Sequence, residues 1–283
     1  DNVIDVNRYP LPQIERITLE NRKVSLGVMG FADMLIQLNI PYNSKQAEQF
    51  ASKIMKFIHE MSVEMSRQLA QTRGVFGNYE KSAYPERGIK LRNATVNTVA
   101  PTGTISIIAG CSSGIEPIFA ISYVRNVLSG SKLFETNPYF ERIAKKRGLD
   151  DEQILSRIAR RGSLQSIKEI PDDIKRIFVT AFDVTPEQHL RIQAAFQQYS
   201  DNAVSKTINL PSNATVEQVR NIYLLAHRLK CKGITIYRYG TKQHQVLSFT
   251  EKHTQPEECE PDEPITAEAE YAGGGCAGDT CKF

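Results

Sequence analysis

Thr185-Pro186-Glu187-Gln188, Ser205-Lys206-Thr207-Ile208-Asn209-Leu210-Pro211, Thr215-Val216-Glu217-Gln218 and Ile234-Thr235-Ile236-Tyr237 follow one another between positions 185 and 237. Thr185 and Thr215 are N-cap residues, and Gln188 and Gln218 stand three places on, at the spacing of a capping box. Pro186 takes the first helical position, where a missing N–H costs nothing. Leu190, Ala194 and Phe196 carry the first helix to about Tyr199. Val219, Ile222, Tyr223, Ala226 and Leu229 carry the second until Gly233 ends it. The runs 205–210 and 234–237 are short and β-branched and read as strands, the first stopped by Pro211. Helix, strand, helix, strand in units of ~10–15 residues is the pattern of an α/β architecture.

Upstream, Asn93-Ala94-Thr95-Val96-Asn97-Thr98-Val99-Ala100 reads as a strand, broken by Pro101-Thr102-Gly103-Thr104. Ile105 to Gly110 forms the next element, and Ser112-Ser113-Gly114 a further turn. One helix is expected over 21–38, with Val24, Val28, Phe31, Leu35 and Leu38 on one face. A second starts after Ser44, repeats Ala47, Phe50, Ala51, Ile54, Ile58, Met61, Met65 and Leu69, and closes at Arg73-Gly74. Its Met and Phe stripe reads as core rather than a cofactor pocket. Residues 1–20 are expected to be irregular and 75–92 a loop. The charged stretch 132–182, with Lys145, Lys146, Arg147, Arg157, Arg160 and Arg161, is expected to be a helical, solvated surface insertion.

At 283 residues and 41% hydrophobic, the chain can form one large α/β domain or two ordinary ones. It has no apolar run of the ~18 residues a membrane-spanning helix needs, so no membrane partner is expected. The opening Asp1-Asn2-Val3-Ile4-Asp5 has neither a start methionine nor a charged and then apolar leader. A piece of a longer polypeptide, or one half of a split enzyme, is expected. Residues 251–283 hold nine acidic and two basic side chains, a net −7, which leaves +10 on residues 1–250. A basic body suits an anionic ligand, a nucleotide phosphate or nucleic acid, and equally describes a solvated basic surface. Nucleic acid is disfavoured, because no aromatic-basic stripe is present. After about Gln245, proline, glutamate and small residues dominate, and such a segment cannot bury enough surface to offset its ordering entropy. The expected organisation is therefore a body over 1–245 and a flexible acidic tail over 246–283.

Two places could carry chemistry. Backbone N–H groups at Pro101-Thr102-Gly103-Thr104 can converge on an anion, with Gly103 allowing close approach and two threonine hydroxyls donating. The P-loop signature is absent, and local chemistry alone favours an ordinary polar turn. Four residues separate Cys276 from Cys281 on a glycine-flanked end. A structural zinc site wants four ligands, and only Cys259 and His253 are near, at irregular spacings. A redox dithiol on a flexible arm fits better, because tethering raises its concentration at a distant disulfide; an accidental pair stays open. Cys111 and Cys231 read as structural. Five cysteines, an odd number at irregular spacing, argue for a reducing, cytoplasmic compartment. His59, His189, His227, His244 and His253 are scattered, and no metal cluster or histidine triad is expected.

Several stretches, in order, resemble the second half of the catalytic core of ribonucleotide reductase large chains: Gly27-Val28-Met29-Gly30-Phe31-Ala32-Asp33, then Asn97 to Ser106, Cys111-Ser112-Ser113-Gly114-Ile115-Glu116-Pro117, Ser205 to Pro211, and Lys232 to Gly240. The similarity spans about residues 20–245 plus the tail. It implies a ten-stranded α/β barrel of two five-stranded halves, of which this chain supplies much of the second. It also implies that Pro101, Thr102, Gly103, Thr104 and Ile105 hold the substrate's phosphates, and that Cys276 and Cys281 rereduce the active-site disulfide after each turnover. The implied reaction replaces the ribose 2′-hydroxyl with hydrogen through a thiyl radical. Implied partners are a ribonucleotide substrate, the amino-terminal half of the enzyme, a thioredoxin or glutaredoxin-like reductant and, in the complete enzyme, a second copy.

Within that family the iron-dependent members carry two adjacent tyrosines for radical transfer near the position of Tyr237. Here Arg238 separates Tyr237 from Tyr239. That departure, with the wording of Cys111 to Pro117, makes the chain similar to the adenosylcobalamin-dependent type, so adenosylcobalamin is the implied cofactor. The alternatives are an iron-dependent large chain and a non-catalytic nucleotide-binding module. The family's radical cysteine lies in an Asn-x-Cys-x-Glu loop that this sequence does not contain. The chain alone is therefore expected to bind part of the substrate without turning over.

Overall fold

A computed structural model describes residues 1–127, 131–241 and 266–267. In chain order the elements are α1 (Asn2–Val6), α2 (Pro12–Asn21), α3 (Phe31–Gln37), α4 (Lys45–Arg73), α5 (Gly103–Ala109), β1 (Ser122–Val127), β2 (Ser131–Thr136), α6 (Pro138–Arg147), α7 (Glu152–Arg161), α8 (Asp172–Ile177), α9 (Pro186–Gln197), β3 (Thr207–Leu210), α10 (Val216–Arg228), β4 (Thr235–Arg238) and β5 (Thr266–Ala267). Two compact units divide them: residues 1–119 with 172–239, and residues 120–171 with 240–283. No helix among the described residues is long and apolar enough to cross a membrane.

The first unit is organised by parallel pairing. The Val24 N–H donates to Thr95 O, the Leu26 N–H to Val96 O and the Thr98 N–H to Leu26 O. Val99 bridges Val204 in parallel, and the Ser205 N–H donates to Val99 O at 2.8 Å. β3 then pairs in parallel with β4, Thr207 opposite Thr235 and Leu210 opposite Arg238. Segment 203–210 thus joins 97–99 on one side to β4 on the other. Parallel neighbours need a crossover, and α10 supplies it between β3 and β4. Both predicted capping boxes form, at Thr185/Gln188 and Thr215/Gln218. Ile208 and Leu210 point to the buried side of β3 and pack with Leu190, Ala214, Ile222 and Ala226.

Long helix α4 begins as expected, with Ser44 Oγ accepting from the Ala47 N–H at 3.1 Å. Its buried line is Ala47, Ala51, Met55 and, further on, Ser66. Small residues let it lie close against α9. Met61 and Met65, expected in the core stripe, are instead 52% and 54% exposed. Their spacing is helical, but the buried line runs along a different edge of the same helix.

The single helix expected over 21–38 does not form. Val24 and Leu26 give their N–H groups to the 95–96 segment, and Gly30 is left-handed at φ 78°. A Cβ on Gly27 would stand 2.3 Å from Thr98 O, so only glycine permits this approach. α3 starts after it. Residues 1–20, expected to be irregular, contain α1 and α2, the latter with Pro12 at its first position and Arg22 as a left-handed cap. The expected strand over 93–100 reduces to bridges at Asn97 and Val99.

The stretch 132–182 is helical as expected in α6, α7 and α8, but it is not a solvated insertion: its residues up to 171 belong to the second unit, and 172–182 belong to the first. The second unit opens with an antiparallel β1/β2 hairpin, Ser122 opposite Thr136 and Val127 opposite Ser131, with β5 parallel on β1. It also has its own apolar interior, in which Phe140, Ala144, Ile158, Leu164, Ile167 and Ile170 are buried. The charges sit where helix dipoles favour them. Lys145, Lys146 and Arg147 close α6, and Arg160 and Arg161 close α7.

Candidate functional site

Pro101 to Ile105 lie where the extended segment ending at Val99 turns into α5. Thr102 is left-handed at φ 55°, ψ 26°. For a β-branched residue that conformation costs about 1–3 kcal/mol and needs the surroundings to impose it. Here they do. The Gly114 N–H donates to Thr102 Oγ1 at 2.7 Å, and Ser113 Oγ donates to Pro101 O at 2.7 Å. The Ser106 N–H donates to Thr102 O at 2.9 Å, the first bond inside α5. The amides of Gly103, Thr104 and Ile105 come before that bond and point away from the helix body, as first-turn amides do. All three residues are exposed, and a Cβ built on Gly103 meets nothing within 4 Å. The turn therefore presents amides and the Thr104 hydroxyl to open space beside a carbon-free position.

The 111–116 turn that grips Thr102 is itself held from two directions. On one side is the Gly27–Asp33 segment. Ser112 N–H donates to Asp33 Oδ2 at 2.6 Å, Asp33 N–H to Ser112 Oγ at 3.3 Å, and Gly30 N–H to Ser112 O at 2.7 Å. Burial pushes the Asp33 carboxyl above its ordinary pKa, and the Ser112 hydrogen bonds oppose the shift. Gly30 faces Cys111, whose Sγ is 3.6 Å from where a Cβ would be. Burial and the Asp33 charge push the Cys111 thiol up, which suits the structural role read for it. Cys231 is likewise free and is pushed up by burial.

On the other side is β3. Lys206 is fully buried, and its Nζ donates to Glu116 Oε2 at 2.8 Å. The Thr207 N–H donates to Glu116 Oε1 at 2.6 Å. Lys206 Nζ also lies 5.6 Å from the centre of the Tyr42 ring, a cation–π contact, and the Tyr42 hydroxyl donates to Ile115 O at 2.5 Å. Burial pulls the Lys206 pKa down while Glu116 opposes the shift. His189 is buried too. Its Nε2 lies 2.9 Å from Ala181 O, its Nδ1 has no partner, and burial with the nearby Lys206 charge lowers its pKa to about 3.

The motifs that resembled one family in sequence are therefore one connected piece of structure. Gly27 to Asp33, Pro101 to Ile105, Cys111 to Pro117 and Ser205 to Pro211 meet. The pairing of Glu116 with Lys206 was not legible, because 90 positions separate them and no spacing rule connects the two. Buried His189 gave no signal either beyond its place on an apolar helix face. Cys276 and Cys281, with Cys259, lie outside the described residues. Among the described residues, no group of three His, Cys, Asp or Glu is placed to hold a metal.

At the end of β4, Arg238 sits between Tyr237 and Tyr239. Its Nε and Nη2 donate to Ser212 O at 2.9 and 2.5 Å. Tyr239 makes an edge contact with Phe182, with ring centres 5.9 Å apart.

The family model described as ribonucleotide reductase, barrel domain, matches residues 1–91 and 86–237. A vitamin B12-dependent ribonucleoside-diphosphate reductase of Thermoplasma acidophilum is 49% identical over 267 residues, covering 94% of this chain and 35% of that protein. One of the same description from Mycobacterium tuberculosis is 44% identical, covering 100% of this chain and 38% of its own length. A ribonucleoside-diphosphate reductase subunit alpha of Chlamydia pneumoniae is 31% identical over 86% of this chain. Among solved structures, the Actinobacillus ureae class Id ribonucleotide reductase alpha subunit superposes with a TM-score of 0.71 at 26% identity, over 84% of this chain and 44% of that one. The chain spans little more than a third of the length of the B12-dependent relatives.

Proposed function

Because this chain belongs to the ribonucleotide reductase barrel-domain family, we propose that it is the carboxy-terminal part of an adenosylcobalamin-dependent reductase that converts ribonucleoside diphosphates to 2′-deoxyribonucleotides. In this reading it forms the second half of a ten-stranded barrel, whose first half comes from an amino-terminal part. The observation that carries the reading is the turn at Pro101 to Ile105. Thr102 is locked in a left-handed conformation, and three amides open onto free space. Those amides and the Thr104 hydroxyl bind the substrate's phosphates. Thr102 Oγ1 already accepts from the Gly114 N–H, so its own hydrogen is left to donate to a phosphate oxygen.

The choice of cofactor rests on two supports. The relatives named B12-dependent are 44–49% identical, against 31% for the Chlamydia pneumoniae alpha subunit. At the end of β4, Arg238 with its guanidinium on Ser212 O occupies the place of a second adjacent tyrosine, which fits a radical generated locally rather than passed in along tyrosines. When bound, adenosylcobalamin supplies that radical to a cysteine of the amino-terminal part. This chain's residues hold and orient the nucleotide by its phosphates, while Cys276 and Cys281 carry electrons from a thioredoxin or glutaredoxin-like protein to the active-site disulfide. The complete enzyme is a cytoplasmic homodimer, and this chain alone is inactive.

The loop assignment is tested with Gly103→Val in the protein completed by the amino-terminal part its relatives carry. The added side chain has room in the protein and would occupy the phosphate's place. The KM for cytidine diphosphate rises tenfold or more, with an unchanged circular dichroism spectrum. An unaltered KM sinks the assignment.

A further inference from the structure

The phosphate turn does not hold its own shape. Thr102 is held left-handed from the next turn, where the Gly114 N–H donates to its Oγ1 and Ser113 Oγ donates to Pro101 O, at 2.7 Å each. Gly114 is itself left-handed at φ 47°, and a Cβ there would press to 3.1 Å on Ala100 O. The turn continues to Glu116, whose N–H donates to Ser113 O at 2.9 Å. Glu116 is where this turn meets the parallel array. Its two carboxylate oxygens take separate donors on successive residues of one segment, Nζ of Lys206 and the N–H of Thr207. Lys206 and Thr207 belong to the segment that pairs with Val99 through Val204 and Ser205, just before the phosphate turn begins. The loop is thus fixed at its entry by backbone pairing, and from behind by a carboxylate anchored to the same segment.

We propose that Glu116, clamped by Lys206 and the Thr207 amide, is a positioning residue that sets the conformation of the phosphate turn at Pro101 to Ile105 through Ser113 and Gly114. This rests on the reading of that turn as the phosphate site. Glu116 does not touch the phosphates. It fixes the distance between β3 and the 113–114 turn, and with it the direction in which the Gly103, Thr104 and Ile105 amides point. Such a group acts on substrate binding far more than on the chemical step. A displacement of the turn by a fraction of an ångström misaligns three donors at once.

Removing one member of the pair would leave a buried charge alone and confuse misfolding with misplacement. The test therefore compares two neutral double variants in the completed protein, with cytidine diphosphate as the probe. K206M with E116Q keeps an oxygen for the Thr207 N–H, whereas K206M with E116A keeps none. The Gln pair is expected to hold KM within threefold of the parent. The Ala pair is expected to raise KM about tenfold while kcat changes by less than threefold. Equal KM values for the two pairs overturn the inference, whether both match the parent or both are raised. Gly103→Val, measured alongside, separates this failure from that of the phosphate-site reading. If that variant raises KM and the double variants do not differ, the turn binds phosphate but Glu116 does not position it.

Discussion

His189 is fully buried, with Nε2 at 2.9 Å from Ala181 O and Nδ1 without a partner. Its pKa falls from 6.5 to about 3 on folding, first because burial disfavours the charged ring and then because of Lys206. The unfolded chain therefore takes up a proton below pH 6.5 that the folded chain refuses, and stability falls as pH falls through the window from 6.5 to about 3. Between pH 6.5 and 5 the loss is about 2 kcal/mol. Urea midpoints at the two pH values should show it, and His189→Gln should flatten the difference; an equal slope in that variant contradicts the assignment. The two glycines of the site make opposite predictions. Gly27→Ala drives a Cβ into Thr98 O and should destabilise by about 1–3 kcal/mol. Gly103→Ala meets nothing and sits in the first turn of α5, so its thermal midpoint should be unchanged or slightly higher. A loss of stability at Gly103 matching that at Gly27 would mean that the turn is not open. The buried pair is asymmetric as well. Glu116→Ala strands a fully buried ammonium and should cost about 3–5 kcal/mol. Lys206→Met leaves a carboxylate that is 26% exposed, still bonded to the Thr207 amide, and should cost less. Chemical denaturation of both variants decides the order.

The elements of the body show what local chemistry can and cannot announce. The capping boxes of α9 and α10 and the Ser44 cap of α4 lie within a few residues of the helices they start, and each forms as read. The stretch 21–38 carried an equally good helical period, yet it divides, because the N–H groups of Val24 and Leu26 are taken by residues about 70 positions away. The side of α4 that is buried depends on α9, not on α4, which is why Met61 and Met65 were misplaced. The turn at Pro101 to Ile105 was legible as a polar break, whereas its left-handed hinge at Thr102 was not, since Ser113 and Gly114 hold it from outside. The tail carries its own prediction, although Cys276 and Cys281 lie outside the described residues. With both changed to serine, the completed enzyme should perform one turnover and stop when a thioredoxin-like protein is the reductant. A small dithiol that reaches the active-site disulfide directly should restore continuous turnover. Sustained turnover with the protein reductant rules out the tail as shuttle.

At the scale of the whole chain, composition allowed one large domain or two, and the structure divides into two compact units. The second was hidden because its interior residues, Phe140, Ile158, Leu164, Ile167 and Ile170, are spread among lysines and arginines that dominate any local reading. The family was legible because several separated motifs occur in one order, and the family model covers the same region. With little more than a third of its relatives' length, the chain carries the turn proposed to bind phosphate but not the Asn-x-Cys-x-Glu loop of the radical cysteine. The most direct measurement is reduction of cytidine diphosphate by this chain mixed with a separately expressed amino-terminal part, with and without adenosylcobalamin. Deoxycytidine diphosphate is expected only when both the partner and the cofactor are present, and none from either chain alone. Product formed without adenosylcobalamin, or no product from two folded and associated chains supplied with it, would rule out an adenosylcobalamin-dependent reductase.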